Sequence, residues 1–279
     1  MSTPLGSPVK IAISPRARRT AKELGIDWST LHGTGRTGRI RERDLRAAVP
    51  VSATAISPIR KTIADRMLAS HLGTAPVTLT TTADATDLVK LRDQFKLADN
   101  FVPSYTDFLV KLVAVALKKH PLLNARWSNE QIVLSAAIHI GVAVDTDAGL
   151  VVPVIRDVPA LSLTQLAARS GVLIERARTG RLSSAEMQGG TFTVTNLGAF
   201  GIDAFTPIIN PPQCAVLGIG RIQRQAVVVA DQIVIRDRIS LSLTFDHRIV
   251  DGAPAARFLQ MLCVSIESPG ICLLDGEHP

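Results

Sequence analysis

Residues 225–252, QAVVVADQIVIRDRISLSLTFDHRIVDG, combine two β-branched runs with a histidine, His247, that stands between two aspartates. Runs of this composition, separated by a short polar segment, predict strands with a hairpin-like connection. After the second run the chain turns polar, and Gly252 predicts a sharp turn into a following helix. The stretch therefore predicts a sheet with His247 at the end of its last strand.

The chain around this stretch alternates helical and extended patterns. Apolar residues recur at helical spacing over residues 59–72, 104–120, 161–180 and 252–268. Extended patterns cover residues 77–86, 138–155 (two strands around an Asp-Ala-Gly turn), 190–198 and 213–222. Strands in this mixed order predict an α/β domain with a mixed sheet rather than a doubly wound parallel one.

A small helical unit is predicted ahead of this domain. In SPRARRTAKELG, Ser14 suits the N-cap, Pro15 the first turn and Gly25 the C-terminal stop of a helix. A second helix is predicted over residues 41–49, and the small residues and prolines of PVSATAISP are typical of a linker. The predicted organisation is a tail (1–10), a helical unit (11–49), a linker (50–58) and a larger domain (59–279).

The basic charge of the chain is concentrated near its start. The formal net charge is +7, of which residues 1–50 contribute +6 and the remaining residues +1. A local field of this kind attracts an anionic partner, either a protein or a nucleic acid.

The segment GTGRTG, residues 33–38, matches the G-x-G-x-x-G spacing of dinucleotide-binding loops. That motif requires a strand before it and a helix after it in a βαβ unit, for which this region is too short. A glycine-rich loop that joins two helices, with Arg36 and Arg39 projecting outwards, is the better interpretation. Without interleaved aromatic residues or a reading helix, no nucleic-acid partner is expected.

The residues around His247 leave three roles open for it: packing, metal binding and proton transfer. Asp251 lies four residues further on, but no third ligand stands at a recognisable spacing, so no metal is expected. Proton transfer requires a group that stabilises developing negative charge. Strand alternation places the hydroxyls of Thr191, Thr193 and Thr195 on one face, where a hydroxyl could serve an oxyanion. Spacing alone does not show that any of them meets His247.

Several classes of protein are excluded by the composition. No apolar run reaches the length of a membrane span, and the N-terminus lacks the pattern of a signal peptide. The three cysteines form no C-x-x-C pair. We expect reduced thiols in a cytoplasmic protein without a membrane partner.

Several segments of the sequence together resemble a known family. DHRIVDGAPAARFL, GGTFTVTNLGAFGIDAFTPIINPPQCAVLGIG and the shorter motifs ISPIRKTIADRM, HPLLNARW and IHIGVAVDTDAGLVVPVIRDV are similar, in the same order, to the catalytic domain of dihydrolipoamide acyltransferases. These are the E2 components of 2-oxo acid dehydrogenase complexes. Residues 11–49 likewise resemble the family's all-α peripheral subunit-binding domain. The resemblance implies a two-layer, chloramphenicol acetyltransferase-like α/β fold.

The resemblance also implies site residues. The family's H-x-x-x-D-G motif falls on His247, Asp251 and Gly252, with His247 as the general base that takes the proton of the coenzyme A thiol. Thr195 falls at the family's Ser/Thr position, whose hydroxyl stabilises the tetrahedral oxyanion. Asp251 is expected to be structural and to pair with an arginine at or near Arg60.

Partners follow from the resemblance too. The small domain would dock the E1 decarboxylase or the E3 dihydrolipoamide dehydrogenase through its basic residues, Arg18, Arg19, Lys22, Arg36, Arg39 and Arg41. The catalytic domains would form a homotrimer, alone or within a larger core, in which His247 and Thr195 meet across the subunit interface. Coenzyme A is the expected acyl acceptor.

Three departures from the family pattern bear on function. Thr195 replaces the more usual serine, and the linker is shorter than the family's tether, which limits its reach. No lysine lies in a lipoyl-type turn, so the acyl-carrying lipoate is expected from another chain or a missing segment. Two alternatives stay open: a non-catalytic scaffold that assembles E1 and E3, and an acyltransferase of the same fold that acts on an alcohol or amine.

Overall fold

The computed structural model describes residues 11–49, 55–98 and 101–274. The chain divides into two compact units, Met1–Ile56 and Ser57–Pro279, called here the binding unit and the catalytic unit. The predicted tail and residues 50–54 of the predicted linker lie outside the described residues. The helix that opens the catalytic unit begins at Pro58, the last residue of that predicted linker. None of the helices within the described ranges combines the length and the apolar character that crossing a membrane requires.

The binding unit consists of two α-helices, α1 (Pro15–Leu24) and α2 (Glu42–Ala48), joined by a long loop with two short 3₁₀ turns. The Ser14 hydroxyl accepts a hydrogen bond from the Ala17 N–H, and Gly25 adopts φ +65° at the C-cap, so the predicted helix signals are confirmed. The core is small, and its buried side chains are Ala17, Ala21, Ile40 and Leu45.

The glycines of residues 33–38 serve this compact loop. A Cβ atom on Gly33 would lie 2.3 Å from the Arg39 carbonyl carbon and 2.4 Å from the Ile40 nitrogen. Such distances leave no room for a side chain, so Gly33 allows two backbone segments to pack together. Arg36 and Arg39 are exposed. The interpretation as a loop between two helices is confirmed.

The catalytic unit is built on a six-stranded sheet with the order β1-β8-β7-β6-β4-β5. Its strands are β1 (Pro76–Asp84), β4 (Ile140–Val142), β5 (Val154–Ile155), β6 (Phe192–Asn196), β7 (Ala215–Val229) and β8 (Gln232–Asp246). β4-β6 and β6-β7 pair in parallel, and the other neighbours pair antiparallel. The predicted mixed sheet is confirmed. A separate hairpin is formed by β2 (Ala125–Ser128) and β3 (Gln131–Leu134).

Helices supply the second layer of the catalytic unit. They are α4 (Thr86–Ala98), α5 (Tyr105–Lys119), α6 (Leu163–Arg178), α7 (Gly252–Glu267) and α8 (Pro269–Leu274). The first helix of the unit, α3 (Pro58–Gly73), is largely exposed and buries Ser70. α5 is buried along most of its length, and with α7 and the apolar sheet face it forms one hydrophobic core. Burial of this continuous apolar surface is the main source of the stability of the fold.

Three features of the catalytic unit are not predicted by the sequence patterns: α4, the β2-β3 hairpin, and α8, which follows the predicted final helix. The strand predicted over 77–86 ends at Asp84, whose carboxylate accepts hydrogen bonds from the N–H and the hydroxyl of Thr86 and so starts α4. The β2-β3 hairpin turns through Asn129 and Glu130, both at positive φ. That backbone matches a two-residue hairpin turn, but Asn-Glu is a weak signal for it.

Candidate active site

His247 follows directly after β8. Its backbone N–H donates to the Ala75 carbonyl at 2.8 Å, which continues the pairing of β8 with β1 by one residue. The imidazole is 46% exposed, and its centroid lies 6.0 Å from that of the Phe245 ring. The ring is thus packed on one side and accessible on the other, where a substrate can reach it.

Asp251 lies beside this imidazole. It occupies the N-cap position of α7, yet its side chain makes no capping hydrogen bond. Instead its Oδ1 atom lies 3.8 Å from His247 Nδ1. On the other side of the ring, Nε2 has no hydrogen-bond partner among the residues that the structure describes. Asp251 is 81% exposed, so its electrostatic effect is weakened by solvent.

Gly252 is the first residue of α7. Its φ is not positive, and a Cβ atom there would meet nothing within 4 Å. The expectation that the turn needs glycine at this position is therefore wrong, because the change of direction is made by residues 247–251.

Two neighbours of His247, Asp246 and Arg248, fix the turn, a role that the sequence patterns did not indicate. The Asp246 side chain is buried and accepts hydrogen bonds from the backbone N–H groups of Ala75 and Arg248. It also receives the Arg248 guanidinium, with Nη2 at 2.6 Å from Oδ2. Burial raises the pKa of Asp246, but these hydrogen bonds outweigh it and lower the pKa below its usual value. In the sequence, the acidic and basic residues on either side of His247 were the feature that could have indicated this ion pair.

The three threonines of the β6 segment have different surroundings. Thr191 exchanges hydrogen bonds with the backbone of His139, and the buried Thr193 hydroxyl bonds to the Gln213 side chain at 2.6 Å. The half-buried Thr195 hydroxyl has no hydrogen-bond partner among the described residues. Of the three, Thr195 is thus the one left free to donate to another group.

Within one chain, Thr195 and His247 are far apart. Thr195 pairs with Gly218, which pairs with Ser242 on β8, five residues before His247. Five residues span about 17 Å along a strand, and two strand spacings add about 10 Å across the sheet. The separation is therefore roughly 19 Å, too long for one acyl group to contact both.

Arg60 lies in α3, and its guanidinium is next to Gly149, not Asp251. In the described part of the chain, no arginine comes within ion-pair distance of Asp251. Among these residues no group of three or more His, Cys, Asp or Glu side chains could hold a metal.

The basic residues of the binding unit fall into two sets. Three arginines are held internally: Arg16 and Arg46 by Glu42, and Arg43 by Thr34 and Asp44. The second set is exposed and has no ion pair among the described residues: Arg18, Arg19, Lys22, Arg36, Arg39 and Arg41. These six are the residues predicted to bind partners. Arg18, Arg19 and Lys22 line one hollow with Ile13 and Pro15.

Comparisons with known proteins identify the family of both units. The family model of the 2-oxoacid dehydrogenases acyltransferase catalytic domain matches residues 50–274. The chain belongs to this acyltransferase family. Residues 11–46 match the E3 binding domain, so the binding unit is the predicted peripheral subunit-binding domain.

A relative of this acyltransferase is the dihydrolipoyllysine-residue acetyltransferase component of the acetoin cleaving system of Bacillus subtilis (strain 168). It is 41% identical over 285 residues, covering 95% of this chain and 71% of the relative. Dihydrolipoamide acetyltransferase from Azotobacter vinelandii has a similar solved structure, with 34% identity and a TM-score of 0.79 over 82% of this chain and 97% of that one. The cubic core of a pyruvate dehydrogenase multienzyme complex gives the same values. The predicted fold and family are confirmed.

Proposed function

We propose that this acyltransferase moves an acyl group from S-acyl-dihydrolipoamide to coenzyme A, with His247 as the general base and Thr195 of a neighbouring subunit as the oxyanion donor. The family works with a lipoyl group and coenzyme A, and the residues of this chain fit those substrates. The observation that carries the proposal is the geometry of the two residues: an accessible imidazole and an unbonded hydroxyl, each at a different end of the sheet.

Residue spacing in a relative supports this assignment. The study of the Azotobacter vinelandii acetyltransferase concerns the role in catalysis of a serine, a histidine 52 residues after it and an asparagine four residues further on. Thr195, His247 and Asp251 have the same spacing. The hydroxyl is kept where serine becomes threonine, and an oxygen that can accept a hydrogen bond is kept where asparagine becomes aspartate.

The proton transfers follow from the position of the imidazole. Nε2 of His247 takes the proton from the thiol of coenzyme A as the sulfur attacks the thioester carbonyl. The carbonyl oxygen becomes the oxyanion and accepts a hydrogen bond from Thr195. Collapse of the tetrahedral intermediate breaks the bond to the dihydrolipoamide sulfur, which takes the proton back from His247. A free thiol with a pKa near 8.5 and an imidazole near 6.5 make the first transfer only mildly uphill.

A homotrimer would bring Thr195 of one subunit close to His247 of another. Because roughly 19 Å separates the two groups in one chain, each site needs the histidine of one subunit and the threonine of the next. The similarity to a cubic core supports a trimer as part of a larger assembly. Each trimer then contains one site per interface.

The partners are inferred from the binding unit. Its six unpaired cations would face acidic patches on E3, or on E1, and steer their docking. A lipoyl domain on another chain or chain segment would deliver the acyl group to the catalytic unit. With Cys214 and Cys263 both free thiols, we place the enzyme in a reducing compartment, the cytoplasm.

Acyl transfer between an acyl-CoA and free dihydrolipoamide tests the proposal. We expect activity in the wild type, a loss of about 100-fold or more in His247→Ala, and a loss of about 100-fold in Thr195→Val with near-normal activity in Thr195→Ser. Wild-type activity at background level would refute the enzyme and leave the scaffold alternative.

Mixed trimers test the shared site. When His247→Ala and Thr195→Val chains are unfolded together and refolded at equal amounts, about one quarter of the interfaces receive both intact residues. We therefore expect activity far above that of either variant alone. Mixing without any recovery, in trimers shown to be mixed by mass spectrometry, would refute a site across the interface.

A further inference from the structure

The imidazole of His247 is held through its backbone rather than through its side chain. Among the described residues, its side chain has one ion-pair contact, with the exposed carboxylate of Asp251 at 3.8 Å. In contrast, the residues on both sides of His247 are tightly fixed. The position of the imidazole therefore depends on what holds Asp246 and Arg248.

Asp246 is the centre of this arrangement. Its side chain is 2% exposed, and it accepts hydrogen bonds from the N–H of Ala75 at 3.2 Å and the N–H of Arg248 at 3.1 Å. The Asp246 carbonyl accepts the N–H groups of Ile249 and Val250. The carboxylate thus ties the turn to the strand β1 and closes the turn on itself.

The Arg248 guanidinium completes the set of contacts. Nε donates to both carboxylate oxygens of Asp246, at 3.0 and 3.1 Å, and Nη2 donates at 2.6 Å. The same guanidinium lies over the Trp127 ring, 5.0 Å from its centroid. A planar guanidinium can satisfy both contacts at once, whereas a lysine ammonium cannot.

Trp127 belongs to the β2-β3 hairpin, which forms its own two-stranded sheet apart from the six-stranded sheet. The Arg248 side chain therefore joins three elements: the end of β8, the start of β1 through Asp246, and the hairpin. It does so without contacting His247's imidazole.

We propose that Arg248 and Trp127 are positioning residues that hold the Asp246 turn, and through it the imidazole of His247, in the geometry needed for proton transfer. The proposal rests on the proposed function of His247. Reacting groups must lie within a fraction of an ångström of their productive positions, and a 1 Å displacement can cost about 100-fold in rate. The stacking on Trp127 removes the freedom of the guanidinium and so of the turn.

Kinetics of the full-length Arg248→Ala protein, with acyl-CoA and dihydrolipoamide as substrates, test this role. We expect kcat to fall by about 10- to 100-fold, while the KM for coenzyme A changes by less than about threefold because binding contacts are unaltered. Ethylguanidine at millimolar concentration should restore part of the lost kcat by occupying the site beside Asp246. Because a compound that binds the folded state also stabilises it, circular dichroism measures the folded fraction with and without ethylguanidine. Rescue of kcat at an unchanged folded fraction separates positioning from a loss of folded protein.

Two further variants and a control complete the design. Trp127→Phe keeps a ring under the guanidinium and should stay close to the wild type, whereas Trp127→Leu should lose several-fold in kcat. Arg176→Ala is the matched control, because it breaks the ion pair between Arg176 on α6 and Glu186 in the turn that follows this helix. The strand next to α6 is β5, at the opposite edge of the sheet from β1.

The outcomes distinguish the two proposals. A wild-type protein without activity, or a fully active His247→Ala protein, refutes the proposed function. If His247→Ala is inactive but Arg248→Ala matches Arg176→Ala, or its loss is not rescued by ethylguanidine, the positioning role is wrong. Equal kcat in Trp127→Phe and Trp127→Leu would remove Trp127 from the proposal.

Discussion

Each unit of the chain has a functional loop organised by one aspartate, and the two aspartates are held in different ways. In the binding unit, Asp44 accepts hydrogen bonds from the N–H and hydroxyl of Thr34, at 2.9 and 2.6 Å, and from the N–H of Arg41. In the catalytic unit, Asp246 accepts from Ala75, Arg248 and the Arg248 guanidinium. Both carboxyls have a lowered pKa.

The difference lies in the distance along the chain. The donors to Asp44 come from within ten residues, so the loop that presents the binding cations can form locally. Ala75 lies 171 residues before Asp246. The turn that carries His247 therefore exists only once β1 and β8 have paired. The proposed docking surface is encoded in a short segment, whereas the position of the proposed catalytic base depends on the pairing of strands that are distant along the chain.

Replacing Asp246 should give the largest effect. Asp246→Ala leaves the Arg248 cation and two N–H groups without their acceptor, and we expect a loss of about 3 kcal/mol in the free energy of unfolding. Acyl transfer should fall at least as far as in Arg248→Ala. Urea unfolding followed by circular dichroism measures the stability. As a control, Asp93→Ala breaks the exposed Lys96–Asp93 pair and should change stability by less than about 0.5 kcal/mol. Equal effects of the two variants would contradict the importance given to burial.

Replacing Asp44 should give a smaller and local effect. Asp44→Ala frees Thr34 and the start of α2, which loosens the loop bearing Arg36, Arg39 and Arg41. We expect weaker binding to E3 and a lower thermal midpoint of the binding unit, with unchanged acyl transfer to free dihydrolipoamide. Calorimetric titration with E3 and the acyl-transfer assay measure the two properties. A fall in acyl transfer equal to that of Asp246→Ala would show that the two units are not independent.

The pH dependence of the binding unit should follow Asp44. Hydrogen bonds from the Arg41 backbone and from Thr34 lower the pKa of Asp44 from 3.8 to about 2. Because this pKa is lower in the folded state than in the unfolded state, ionised Asp44 stabilises the fold above pH 3.8. This stabilisation is lost as the pH falls towards 2. Trp28, which packs on the binding-unit core, reports this by fluorescence in a Trp127→Phe chain. In Asp44→Asn, the loss of stability between pH 4 and 2 should be smaller than in the parent chain. If the two profiles are the same, a group other than Asp44 causes the loss.

The smallest effect is expected at Asp251, which is neither buried nor part of a network. Asp251→Asn keeps an oxygen beside His247 Nδ1, and its carboxylate is 81% exposed, so kcat should change by less than about tenfold. Steady-state kinetics measure this. A loss as large as that of His247→Ala would mean that Asp251 takes part in proton transfer.

Much of the site could be predicted from the sequence because its signals are local. The cap residues Ser14 and Gly25, the end of β8 at His247 and the i, i+4 relation of His247 and Asp251 depend on nearest neighbours along the chain. The same holds for the basic residues of the binding unit. In contrast, the β2-β3 hairpin and α4 have weak local signals, so the ring under Arg248 could not be anticipated.

The sequence by itself determined the mixed α/β class, the helical N-terminal unit and the place of His247 at a strand end, since hydrophobic period and cap chemistry are properties of contiguous residues. The roles of Thr195 and Asp251 were implied by the resemblance to the family. Only the tertiary structure decided which of them meet. The sheet register sets Thr195 roughly 19 Å from His247 and brings Ala75 to Asp246. Strand pairing joins residues that are distant along the chain, and no local pattern contains that information.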